Sequence, residues 1–152
     1  MRIGIWAAAA VLGVSAGAAS AQTATPVPMQ AEMKTELDAA AELAGYPTGV
    51  DHQTSFKVLL EGEGAGLKLE AKPDVTYFLA STCKEGCAEL QLDLRSMDQD
   101  VLQSQTSRGG GLITTQISVA KPGPMIVLAA MMGCKTAGGC PTGLSIYEQK
   151  KH

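Results

Sequence analysis

The sequence predicts an all-β domain, a sandwich or barrel of about eight short strands behind one N-terminal helix. Three observations predict it. Alternating apolar and polar residues recur from Thr54 onward, with turn signals roughly every 8–12 residues. Two cysteine pairs flank short Gly-containing loops, Cys83 with Cys87 and Cys134 with Cys140. The one helix-forming stretch lies ahead of the first strand.

The chain opens with the pattern of an export signal. Arg2 is the only charge before Glu32, an apolar run covers Ile3 to Val14, and small residues lead to Ala19-Ser-Ala21. A positive start, an apolar run and an A-x-A-like site define a secretory signal peptide, so residues 1–21 are expected to be removed between Ala21 and Gln22. No stable membrane span is then expected to remain. The 131 remaining residues carry 11 basic side chains, Arg2 having left, against 15 acidic ones, a net of −4. An acidic chain without a block of Lys or Arg offers no footprint for nucleic acid or anionic lipid.

Residues 22–28, with Pro26 and Pro28, read as a flexible linker. Residues 29–45 read as a helix, because Ala, Glu, Lys, Leu and Met dominate. Met33, Leu37, Ala40, Ala41 and Ala44 give it one apolar stripe. Gly45 suits a C-terminal cap, and Pro47 prevents continuation. The narrow, Ala-rich stripe is expected to lie against the sandwich.

Residues 54–149 form the sandwich domain. Phe56, Val58 and Leu60 precede the turn Glu61-Gly-Glu-Gly64, and Ala65, Leu67 and Leu69 alternate after it. Val75 to Ala80 is apolar on both faces and reads as a central strand. Leu90, Leu92 and Leu94 alternate with Gln91, Asp93 and Arg95, which puts the leucines inward and Gln91 and Asp93 toward solvent. With Lys84-Glu-Gly86 between them, these two strands read as a hairpin. A weaker strand lies near Val101 to Thr106, and Arg108-Gly-Gly-Gly111 reads as a loop tip. Ile113, Ile117 and Val119 face inward, Met125 to Met132 reads as a second central strand, and Leu144 and Ile146 close the set. Pro124 to Tyr147 reads as a second cysteine-flanked hairpin.

Four cysteines in an exported chain imply two disulfides, with three pairings possible. The pairs Cys83–Cys87 and Cys134–Cys140 are favoured, since each flanks a loop that brings its ends within disulfide range. No C-x-x-C is present, and the histidines are His52 and the C-terminal His152. Zinc and redox motifs are therefore not supported.

The order of parts resembles the bacterial pre-peptidase C-terminal domain. Glu61-Gly-Glu-Gly64 with Leu67 and Leu69, then Val75-Thr-Tyr77, Leu90-Gln-Leu-Asp-Leu94 and Pro122-Gly-Pro-Met-Ile-Val-Leu128 follow its pattern. The resemblance covers roughly Thr54 to Tyr147 and implies a jelly-roll-like antiparallel β-sandwich on an exported protein. Gln91 stands where that pattern has Asp, Gln99-Asp100 replaces its Asp-Gly turn, and Met125 stands where Tyr is expected. Some relatives hold calcium in acidic loops, which makes Asp93, Asp98 and Asp100 weak calcium candidates. Calcium takes about 6–8 oxygens, more than these carboxylates supply, so a solvated acidic turn is expected and no metal is assigned.

No catalytic residues are assigned. His52 stands beside Asp51 in a segment read as a loop, and no G-x-S-x-G, H-E-x-x-H or P-loop occurs. Gly109 to Gly111 lacks the Lys-Ser/Thr of a phosphate loop. Trp6 leaves with the signal, which weakens a carbohydrate-binding reading. Met125, Met131 and Met132 suit copper by softness, yet Met131 and Met132 point to opposite faces of a strand, so core filling is expected. The functional expectation is a non-enzymatic periplasmic or secreted module, without cofactor, that binds a protein or envelope component. The alternative is an accessory or inhibitor of a secreted protease.

Overall fold

The computed structural model describes residues 24–49 and 52–151. The expected signal peptide and its cleavage point at Ala21 and Gln22 lie outside the described residues.

The elements run α1 (Val27–Leu43), β1 (His52–Leu59), β2 (Gly64–Ala71), β3 (Val75–Cys83), β4 (Cys87–Ser96), β5 (Val101–Arg108), β6 (Gly111–Ser118), β7 (Gly123–Cys134) and β8 (Cys140–Lys150). One sheet has the order β1-β8-β3-β6 and the other β2-β7-β4-β5. Neighbouring strands in both sheets pair antiparallel. This is the eight-stranded jelly roll, two four-stranded sheets facing each other across one core.

That topology corrects the two hairpins. β3 pairs with β6 and β8, whereas β4 pairs with β5 and β7. β7 and β8 likewise lie in different sheets. Each cysteine loop is therefore an arch between sheets rather than a turn within one. The physical reason is burial: both strands of each unit carry apolar inward faces, and facing them across the core buries both. Among the described strands only β4 and β5 are sequence neighbours joined in one ladder.

The core between the sheets contains Tyr77 and Leu79 of β3, Leu90, Leu92 and Leu94 of β4, Val127, Ala129 and Met131 of β7, and Leu144 and Ile146 of β8. The expected inward face of β4 is thus the observed one. At one side the Gln103 amide donates to the Thr115 hydroxyl, linking β5 to β6 across the sheets.

The helix covers the outer face of the first sheet. Leu37 and Ala41 pack with Tyr46, Phe78, Ala80 and Tyr147. That third layer explains why β3 and most of β8 are buried on both faces. Polar bonds orient the helix: Tyr147 donates to Asp38 at 2.7 Å, and Thr82 donates to Glu36 at 3.0 Å. Burial raises the Tyr147 phenol far above its ordinary range.

The helix begins at Val27, two residues earlier than expected, because proline is tolerated in a first turn. Val27 and Pro28, expected in the linker, therefore belong to the helix. Thr25 is buried, and its carbonyl accepts a 2.7 Å bond from the Gln30 amide. Gly45, at φ 85, terminates the helix in the left-handed region that glycine adopts without a Cβ penalty. His52 opens β1 and does not lie in a loop.

Candidate functional site

The jelly-roll order places four arches at one end of the sandwich. They are residues 60–63, 84–86, 109–110 and 135–139, between β1 and β2, β3 and β4, β5 and β6, and β7 and β8. Register fixes their common position: Gly111 pairs with Cys83, Cys83 with Thr142, Cys87 with Cys134, and Leu59 with Cys140. Local sequence makes each arch short, with glycine or a disulfide where the chain reverses.

Two disulfides staple this end. Cys83 is bonded to Cys87 with their Cα atoms 6.0 Å apart, and Cys134 to Cys140 with theirs 5.9 Å apart. The arches are also bonded to one another. Lys135 N donates to the Gly86 carbonyl at 2.8 Å, and the Thr136 hydroxyl donates to the Glu85 carbonyl at 3.0 Å. Gly109 N donates to Ala88 O at 2.7 Å, Gly62 N to Met131 O at 2.8 Å, and Lys84 N to Pro141 O at 2.9 Å. The first arch is closed within itself by Leu60 N on the Glu63 carboxylate at 2.9 Å.

Glu85 stands at the tip of the second arch with φ 38°, in the left-handed region that non-glycine residues rarely occupy. Such conformations persist where surrounding structure imposes them, and they cluster at functional sites. Here Thr136 supplies the constraint by bonding the Glu85 carbonyl and closing over Gly86. A Cβ on Gly86, whose φ is 85°, would lie 2.1 Å from Thr136 Oγ1 and 3.2 Å from Thr136 N. Replacing Gly86 by Ala is expected to lower stability by about 1–2 kcal/mol through the left-handed backbone alone. A matching fall in melting temperature is the check, and an unchanged transition would mean that the arch is free to rearrange.

The middle of the helix is anchored to the same arch. Lys84 Nζ lies 2.7 Å from Glu36 and 3.4 Å from Glu32. The Glu36 hydrogen bond raises the Lys84 ammonium above its ordinary value, against a smaller opposing effect of burial. Around the tip the exposed charges are Glu61, Glu63, Glu85, Arg108 and Lys135. Leu60, Leu112 and Met132 stand among them with 46%, 38% and 48% of their surface exposed. Exposed apolar side chains beside charges of both signs suit a protein surface better than a small polar ligand. Beside this end, a cleft of about 460 Å³ lies between Thr25, Gln30 and the β1 residues Phe56 to Leu59.

The other candidates from sequence are dispersed. Asp93 lies on the outer face of β4, as alternation requires, but it is fully buried, which corrects its expected solvation. Gln91 donates to it at 2.8 Å, Ser104 at 2.6 Å, and Arg95 at 3.1 and 2.5 Å. Burial pushes its carboxyl up, but bonds from Ser104, Arg95 and Gln91 outweigh that and hold it below the usual carboxylate range. Asp98 and Asp100 lie in and beside the β4–β5 turn, at the opposite end from the arches. Among the described residues no three His, Cys, Asp or Glu side chains converge as a metal site. His52 stacks on Tyr147 at 5.3 Å between ring centroids. Met131 is fully buried while Met132 is half-exposed, so the two do face opposite ways. Glu85 and Thr136 were missed in sequence, where only Gly86 signals a turn and nothing places residue 136 beside it.

No family model matches the chain, and no curated protein matches it. Among solved structures, a match is the crystal structure of PliG from Aeromonas hydrophila, a periplasmic lysozyme inhibitor of g-type lysozyme. Identity is 12%, the TM-score is 0.48, and the match covers 68% of this chain and 91% of that one. No helix among the described residues is long and apolar enough to cross a membrane.

Proposed function

We propose that this chain is a non-enzymatic exported module that binds a protein through the arch end of its sandwich. The single observation that carries the reading is the stapled tip: Glu85 is held in a left-handed conformation by Thr136, between two disulfide-closed arches. A surface fixed in advance loses little conformational entropy on binding, so its contacts translate more fully into affinity. Export supports the reading, as expected from residues 1–21 and from cysteines that are paired in disulfides. Kinship with pre-peptidase C-terminal domains belongs to the same proposal and is supported by the jelly-roll order.

A second reading is an accessory or inhibitor of a secreted protease. The same rigid exposed tip favours it, because an inhibitor must present a fixed segment to an enzyme cleft. The N-terminal linker is a poorer candidate for that segment than the sequence suggests, since Thr25 is buried and Val27 is already helical.

The test compares the wild-type chain with Glu85→Lys. Binding is measured against purified proteins from the exported fraction, and inhibition against co-secreted hydrolases. Binding that weakens by roughly tenfold or more with Glu85→Lys supports the proposal, a loss of about 1.4 kcal/mol. Turnover of a substrate by the chain itself would overturn it. Inhibition that depends on residue 85 selects the second reading.

A further inference from the structure

We propose that Cys87 and Cys134 form a thiol–disulfide exchange site at the arch end, one that takes a small thiol as its co-reactant. The two cysteines belong to different disulfides, yet they are partners in the β4–β7 ladder, beside a register shift between Cys87 and Glu89, and both pack against the core between the sheets. Opposed residues of an antiparallel pair have Cα atoms about 4.5–5.5 Å apart and side chains on one face, which is within the reach of a disulfide.

Exposure orders the steps. Cys87 and Cys134 are half-buried, whereas Cys83 is 3% exposed and Cys140 is 0% exposed. An incoming thiolate reaches the sulfur of Cys87 or Cys134 ahead of their buried partners, and entry at either leads to the same product. At Cys87 it forms a mixed disulfide and expels the Cys83 thiolate, which takes a proton. A second thiolate attacks the small-molecule sulfur, forms the small disulfide and frees the Cys87 thiolate. Cys87 then attacks the sulfur of Cys134, the Cys134–Cys140 bond breaks, and Cys140 leaves and is protonated. Two small thiols thus become one small disulfide, while the protein exchanges two bonds for one Cys87–Cys134 bond and two thiols. The product matches each group to its surroundings. Cys83 and Cys140 sit in the core, where burial favours the neutral thiol and keeps it inert.

The exchange would unstaple residues 84–86 and 135–139 together while tying β4 to β7. Any effect on partner binding rests on the reading given above; the exchange itself does not.

The test begins with the double variant Cys83→Ala/Cys140→Ala, prepared under oxidising conditions. A Cys87–Cys134 disulfide in most molecules is expected from non-reducing peptide mapping. Cys83→Ala/Cys134→Ala is the control and should keep Cys87 and Cys140 as free thiols. Free Cys87 and Cys134 in the first variant would overturn the proposal. Because that variant removes both staples, wild-type protein is also titrated in graded glutathione buffers, alkylated and mapped. Linked Cys87–Cys134 peptides with alkylated Cys83 and Cys140 are expected at intermediate poise. Direct passage from the native pairs to four alkylated cysteines would sink it.

Discussion

Replacing Leu92 with Ala is expected to cost about 2–5 kcal/mol of unfolding free energy. Leu92 is 1% exposed and lies mid-strand between Leu90 and Leu94, opposite Ala129 of β7. Its removal leaves a cavity in a core held between two sheets, where neither neighbour can collapse far. Gln91→Ala is the companion. Gln91 is half-buried and donates one bond to Asp93, so its loss should cost about 0.5–1.5 kcal/mol. Denaturant unfolding of both variants side by side gives the order, and a costlier Gln91→Ala would mean that β4 is shifted by one residue.

The second large effect is expected at Asp93. Asp93→Ala removes the acceptor for Gln91, Arg95 and Ser104 and leaves the Arg95 charge without its partner. Arg95 keeps 26% of its side chain exposed and can turn to water, so the cost is about 2–3 kcal/mol rather than that of a sealed charge. The pH dependence follows from the direction of the shift. The folded carboxyl titrates below its unfolded value near 4, so its contribution is fully present above that value. It is lost as pH falls through the lower, folded value. Wild-type stability should therefore drop across this acid window by more than that of Asp93→Ala. Parallel curves for the two proteins would show that the network contributes nothing.

The strands were legible from alternation, from runs apolar on both faces or from their flanking turns, and Leu90, Leu92 and Leu94 can share only one face because strand side chains repeat every two residues. The pairing was not. A short Gly-containing loop such as Lys84-Glu-Gly86 looks the same whether it reverses within a sheet or arches between two. Only the requirement that β3 and β8 bury both faces distinguishes these cases, and that depends on the helix above them. In β8 alternation shows Leu144 and Ile146, whereas Tyr147 owes its burial to α1 and Phe78. Asp93 shows a different limit. Alternation gives the face a residue takes, while its cover comes from side chains on β4 and β5. The candidate site was half legible: the cysteine loops stood out, but their meeting at one end is a product of topology.

The opposite end offers a competing surface, where Met97, Val101 and Leu102 are exposed beside the β4–β5 turn. That turn is held by Ser96 N on Asp100 O at 2.9 Å and Gln99 N on Ser96 O at 3.1 Å, with no disulfide. Photo-cross-linking from the two ends decides between them. A photoreactive residue is placed at Glu85 in one sample and at Gln99, also exposed and also left-handed, in another. Each is irradiated with the purified partner or with the native exported fraction, and adducts are identified by mass spectrometry. A discrete protein adduct is expected from position 85 and none from position 99. An adduct from position 99 with none from position 85 would contradict binding through the arch end.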